Sequence, residues 1–351
     1  MQKKLKYFMN GFFFQYDFFE RNLGKDLDFD LRYPNVWRYT PGWKYIPWNF
    51  WMVQKMYRNQ EIQKYDIVQF NNTENFLNFR KQEWQLSIAE SHGFDFGVNY
   101  QWFVKDEKNP VKYIIWNIIN ILFWWKIRKK IQEFDIYYCS TPDMLEPLRK
   151  KVRADVKWLP NPINTEIFQP EWETIKLEWS PSFFFPTRVH GDKKPEIAID
   201  IFRKYIKPNF PEATLHLLEW GYEVPKYKKL LSDKRTYFWH GFMDKETLAA
   251  KIRGSDYCFG DFSIGGLSLM PMQIMACKKP IVTYDMHEII KIPREELWEL
   301  TKKLLENEKY RNKSIQKNYD YIMKYHTEKA VCNIHLKNIR SMLKEKYKIE
   351  I

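Results

Sequence analysis

Between Asp256 and Asp285 the chain gathers residues suited to holding an anion. A short apolar run, Tyr257 to Phe259, leads into Asp261, Ser263, Gly265 and Gly266; an apolar stretch of helical length follows from Leu267 to Cys277, and Pro280 opens another short run, Ile281 to Tyr284. Strand, glycine loop, helix and strand in that order form the unit from which parallel sheets are built. Paired glycines where the loop enters the helix let a ligand approach the backbone, and the first-turn N–H groups favour an anion such as phosphate. A plain tight connection is the other reading of the same two glycines. A second candidate is His92, in Glu90-Ser91-His92-Gly93, just past the apolar run Trp84 to Ala89. The carboxyl end of a parallel strand is where open α/β sheets bind ligands. Arg188 and Lys193, five positions apart behind Phe183 to Pro186, are the third. A bidentate guanidinium and a point-charge ammonium suit a diphosphate, although solvated surface charge gives the same pattern.

The elements that must position these groups follow from the pattern of apolar runs. Leu5 to Met9 reads as a first strand that turns at Asn10-Gly11 into an aromatic helix, Phe12 to Asn22. Arg32 to Trp51 is rich in Pro, Trp and Tyr without a period and reads as a loop. Tyr65 to Phe70, Trp84 to Ala89 and Phe134 to Cys139 are buried-type strands, and Thr141-Pro142-Asp143 starts a helix. The second half alternates strands at Phe183–Pro186, Thr214–Leu218, Thr236–Trp239, Tyr257–Phe259 and Ile281–Tyr284 with helices between them. Such alternation predicts an α/β chain with a doubly wound parallel sheet.

Bulk properties narrow the class. The 351 residues suffice for two domains, and 44% hydrophobic with 18% aromatic content excludes wholesale disorder. Lysines and arginines number 57 against 44 acids, a net charge of +13 spread evenly along the chain, which suits an anionic partner. Cys139, Cys258, Cys277 and Cys332 are too scattered for a disulfide framework or a zinc site, so a reducing, cytoplasmic setting is expected. The basic start, Lys3 to Lys6, is interrupted at Asn10-Gly11 and reads as a strand, not a signal peptide.

The wording of the Asp256–Asp285 stretch resembles the donor-binding segment of retaining glycosyltransferases of family four, the group 1 glycosyl transferases, which have the GT-B fold. Leu269, Pro271, Met275-Ala276 and Pro280-Ile281-Val282 match that segment, while its two carboxylate positions read Gly265 and Gln273. Pro160-Asn161-Pro162-Ile163-Asn164, with Phe168 and Pro170 behind, resembles the same family's interdomain linker. Arg188 and Lys193 have the spacing of its diphosphate-gripping pair, with Lys194-Pro195 in place of a glycine. The match is good from about Val156 to His326 and extends to the first 150 residues only in layout.

The resemblance implies two Rossmann-like doubly wound domains facing a cleft: an acceptor-side domain over 1–160, a nucleotide-sugar domain over 161–325, and a closing helix over 326–351 that crosses back. It implies a hexosyltransferase that is retaining and metal-independent, needs no cofactor beyond a UDP- or GDP-linked donor, and acts on a glycan or lipid-linked glycan. Donor binding would fall to Arg188, Lys193, Gly265, Gly266, Leu267, Gln273, Gly241 and Phe242, with Asn10 and Gly11 on the acceptor side. His92 would touch the transferred sugar. Gln273 keeps an acceptor oxygen for a ribose hydroxyl without the charge. Asp261 is the nearest acid to Gly265 and the first candidate for the missing negative charge; Glu288 is the alternative. Two rival readings remain, a DNA-modifying enzyme of the viral type and a non-catalytic binding subunit. Pro110 to Trp125, followed by Lys126, Arg128, Lys129 and Lys130, is too short and polar to span a bilayer. It reads either as a buried helix or as an interfacial helix on an anionic membrane face.

Overall fold

The computed structural model describes residues 4–10, 17–32, 62–71, 79–91, 110–262, 268–283 and 294–349. Gly11, His92, Gly265, Gly266, Leu267 and Glu288 lie outside the described residues. The chain divides into two compact units, Met1–Pro160 with Val331–Ile351, and Asn161–Ala330.

The first unit contains β1 (Leu5–Asn10), α1 (Asp17–Leu23), β2 (Leu27–Arg32), β3 (Ile67–Asn71), β4 (Leu86–Ser91), α2 (Pro110–Ile131), β5 (Ile136–Cys139), α3 (Pro142–Lys151) and β6 (Lys157–Trp158). Its sheet is parallel, in the order β2-β1-β3-β4-β5-β6. Alternate side chains feed opposite faces: Tyr7 and Met9 enter one core layer, Phe8 the other. No strand is expected from the sequence at β2. There Leu27, Phe29 and Leu31 alternate with Asp28, Asp30 and Arg32, a pattern that an edge strand with one wetter face tolerates. Thr141 does occupy the position before α3, but its side chain makes no capping bond; Pro142 at the first helical position sets the start instead.

The second unit contains β7 (Ser182–Phe185), α4 (Pro195–Ile201), β8 (Thr214–Leu218), α5 (Val224–Leu230), β9 (Tyr237–His240), α6 (Lys245–Gly254), β10 (Tyr257–Phe259), α7 (Leu269–Ala276), β11 (Ile281–Val282), α8 (Arg294–Glu306) and α9 (Glu308–Tyr325). Its parallel sheet runs β11-β10-β7-β8-β9. Phe183 and Phe185 pack on the α4–α5 side, and Phe184 on the α6–α7 side. Arg253, buried at the end of α6, donates to the carbonyls of Glu173, Ile167 and Gln169 and so ties the linker to the sheet.

The last helix, α10 (Glu328–Met342), belongs to the first unit for a reason visible in its side chains. Val331, Cys332, Leu336 and Ile339 share a core layer with Phe18, Phe19 and Leu23 of α1. Beyond it, Lys346 binds the buried Asp135, which also receives Lys81 Nζ at 2.5 Å and the Ser87 N–H at 2.8 Å. Burial alone would raise the Asp135 carboxyl; the bonds from Lys346, Lys81 and Ser87 outweigh it and hold the group below the usual carboxylate range.

Both sheets have a topological switch point, where successive strands leave in opposite directions and a crevice opens at the carboxyl ends. In the first it lies between β1 and β3, and in the second between β7 and β10. The second is where the chemistry-bearing residues gather.

Candidate active site

β7 is wholly buried, and the chain emerging from it is pinned two ways at Val189, between the two cations Arg188 and Lys193. The Val189 N–H donates to the Trp220 carbonyl at 2.7 Å, and the Val189 carbonyl accepts from the Glu223 N–H at 3.2 Å. This close passage requires Gly221: its φ is +127°, and a Cβ there would meet the Val189 oxygen at 2.2 Å. Half-buried Arg188 and His190 thus flank a fixed residue, and His190 packs against the Tyr222 ring. One tight turn over Gly191–Lys193 then delivers Lys193 to the start of α4.

At that start, where the resemblance leads one to expect a glycine, stands Lys194, and its backbone adopts the left-handed conformation that suits glycine, with φ 53° and ψ 50°. Pro195 follows as the first helical residue, where its fixed φ suits the helix and its missing N–H costs nothing. A side chain in the left-handed region costs ~1–2 kcal/mol there.

β10 brings Asp261 to the other side of the switch point. Its carboxylate is 4% exposed and lies 3.3 Å from Lys193 Nζ. The same Oδ2 accepts a short hydrogen bond from Ser268 Oγ, and the Asp261 carbonyl accepts from Thr283 Oγ1 at 3.3 Å. The Phe262 N–H in turn donates to the Lys193 carbonyl at 3.2 Å. Asp261 is thus joined to the loop after β7, the start of α7 and the end of β11. Ser268 occupies the capping position of α7 but makes no capping bond to its own helix, its hydroxyl being directed to Asp261.

Gln273 lies half-buried in the middle of α7. Gly241 and Phe242 follow β9; Gly241 has open space around it, and the Phe242 ring is 89% exposed. Beneath them runs a chain of groups that the sequence does not reveal. Lys251 Nζ stands 3.5 Å from His240 Nδ1, His240 Nε2 is 3.0 Å from His216 Nδ1, and His216 Nε2 is 3.2 Å from the Glu178 carbonyl. An ammonium only donates and a carbonyl only accepts, so both imidazoles carry their proton on Nε2. Burial, then the neighbouring His240 charge, takes His216 down to about 4; burial and Lys251 take His240 to about 4. Both rings are neutral at physiological pH. Their shared signal is a histidine in each of two neighbouring strands, His216 and His240, but only the register makes them partners.

Asn10 ends β1 at the first unit's switch point. Among the described residues no group of three or more His, Cys, Asp or Glu is placed to hold a metal ion.

No protein-family model matches the sequence, and no curated protein matches it significantly. Solved structures do match in fold. Sucrose-phosphate synthase from Thermosynechococcus elongatus is similar with a TM-score of 0.69 at 10% identity, over 97% of this chain and 99% of that one. Anabaena HepE in complex with UDP and glucose is similar with a TM-score of 0.61 at 9% identity, over 96% of this chain and all (100%) of the other. A UDP-N-acetylglucosamine 2-epimerase is similar with a TM-score of 0.59 at 12% identity, over 100% of this chain and 98% of that one. At such identities the likeness shows the fold alone, and the fold is GT-B, with two Rossmann-like units.

Proposed function

We propose that the protein is a nucleotide-sugar-dependent glycosyltransferase whose second unit binds the donor. The observation that carries this reading is that Asp261 joins Lys193 to Ser268 at the start of α7, at the switch point between β7 and β10, with Arg188 on the same loop after β7. As a glycosidic bond to a nucleotide breaks, negative charge builds on the departing diphosphate. Two cations and the first-turn N–H groups of a helix are suited to stabilise that charge. Lys193 is an ammonium with three donors, so its contact with Asp261 leaves others for phosphate oxygens. Asp261 acts as a positioning residue: it holds Lys193 against the sheet and draws the Ser268 hydroxyl away from capping α7.

Gln273 then offers its amide to the donor's ribose, and Gly241 and Phe242 border the base. HepE, solved with UDP and glucose, favours a uridine donor here. We assign a glycan or lipid-linked glycan as acceptor and retention as the stereochemical course, both on the family resemblance, with no metal ion or further cofactor in the step.

The same fold in an epimerase makes the product the deciding observation. Incubation with UDP-glucose or UDP-N-acetylglucosamine alone, followed by proton NMR, tests the reading. A transferase releases UDP and free sugar slowly, and faster once an acceptor is added. Conversion to a different UDP-sugar, with no free UDP, would assign the protein to epimerases instead.

A further inference from the structure

The helix α2 carries an exposed apolar stripe that the donor site does not use. Val111, Ile114, Ile118, Ile121, Leu122 and Trp125 are each more than half exposed, between 53% and 68%. At 100° per residue they fall within an arc of about 100°. Ile127 and Ile131, both fully buried in the first unit's core, fall on the opposite side of the helix. The stripe is therefore turned away from the core that anchors the helix. Over 22 residues the helix is about 33 Å long.

Cations frame one end of this stripe. Lys129 continues it, with its ammonium 5.7 Å from the centre of the Trp125 ring, and exposed Lys126 and Arg128 flank it on either side. The basic end of α3 lies against the same place. Arg153 donates to the Ile131 and Phe134 carbonyls at 3.1 and 2.6 Å, and Gln132 donates to the Val152 carbonyl at 2.7 Å. Exposed Lys150 and Lys151 of α3 thereby join the cluster, within which Glu133 pairs with Lys130. No described helix is long and apolar enough to cross a membrane.

We infer that α2 is a docking surface for an anionic lipid bilayer, lying in the plane of the headgroups with its apolar stripe inserted. An apolar stripe about 100° wide with cations at its margins is the pattern of an interfacial helix, in which lysine and arginine meet lipid phosphates while apolar chains enter the acyl boundary. A protein partner's groove would bury the stripe equally well but would not call for cations gathered at its edge. The inference stands apart from the donor-site reading, since it uses none of the same residues.

Flotation of the full chain with phosphatidylcholine vesicles, with and without phosphatidylglycerol, tests it. The protein should float with the anionic vesicles, less so at high salt, and poorly with neutral ones. Ile118→Glu/Trp125→Glu should abolish flotation, and Lys126→Ser/Arg128→Ser/Lys129→Ser should weaken it by about a hundredfold, at about fivefold per cation. All five side chains are exposed, so the melting temperature should hold, and nucleotide binding by both variants should be unchanged. Absence of flotation with anionic vesicles at low salt would overturn the proposal, as would flotation insensitive to both variants. A dimer in size-exclusion chromatography that Ile118→Glu/Trp125→Glu converts to a monomer, without lipid binding, would assign the stripe to a second copy of the chain.

Discussion

Lys193 Nζ lies 3.3 Å from Asp261 Oδ2, a contact between loops 68 positions apart that meets at the switch point of the second sheet. Its geometry bears on function in one specific way. A lysine side chain carries substantial rotamer freedom, and a buried carboxylate that fixes it removes that freedom before a diphosphate arrives.

The first prediction concerns this pair. Asp261→Asn should weaken donor binding, though less than removal of the ammonium does, because Lys193 remains but is no longer held in place before the diphosphate arrives. Lys193→Ala should weaken donor binding by about 10- to 150-fold, at roughly 1.5–3 kcal/mol for a charged hydrogen bond. If the two act through each other, their effects on kcat/KM should be non-additive by about 0.5–3 kcal/mol. Additive effects in a double-mutant cycle would show that Asp261 does not position Lys193.

The loop that carries the cations yields a second prediction, about stability. Lys194→Gly places a glycine at φ 53° and should leave stability unchanged or raise it by up to about 1 kcal/mol. Gly221→Ala should do the reverse, costing several kcal/mol, because its Cβ would lie 2.2 Å from the Val189 carbonyl oxygen. Denaturant melts of both variants check this. A Gly221→Ala protein as stable as the parent would mean that the loops after β7 and β8 do not pass as closely as described.

The loop also shows what the sequence could and could not convey. Runs such as Phe183–Phe185 and Leu215–Leu218 are buried on both faces and bounded by prolines or charges, so β7 to β11 were legible almost to the residue. β2 was not, because its charges mimic a solvated turn region until an edge position is known. Lys194 is a poor residue for the left-handed region, and only the surrounding turn, closed by the Lys193 N–H to His190 carbonyl bond at 2.8 Å, imposes that conformation. The Arg188 and Lys193 spacing was readable, whereas the engagement of Asp261 by Lys193 and Ser268 depends on three loops meeting. Asp261 was expected to carry negative charge near the sugar; its contacts with Lys193 and Ser268 are what support the positioning role proposed for it.

A third prediction concerns pH. Burial lowers His326 to about 4 and His335 to about 3, and the His216–His240 pair is likewise neutral when folded. Unfolded histidines take up protons near pH 6.5, so below that value the unfolded chain binds more protons than the folded one. Stability should be full above about pH 6.5 and fall towards pH 4, by up to about 1.4 kcal/mol per pH unit for each histidine. His335 lies in the first unit and His326 in the second, so both should weaken. Urea midpoints measured from pH 7.5 to 4.5 check this, and in His335→Gln the slope for the first unit should flatten. A midpoint that does not change across that range would contradict the neutral, buried assignment.

The most direct measurement of the central claim is a calorimetric titration of UDP into the wild-type protein and into Arg188→Ala/Lys193→Ala. The account predicts saturable binding to the wild type, weakened by roughly 10² to 10⁴ in the double variant, as expected for two charge-assisted contacts of about 1.5–3 kcal/mol each. Unchanged UDP affinity in a folded double variant, or no binding of UDP or GDP by the wild type, would contradict it.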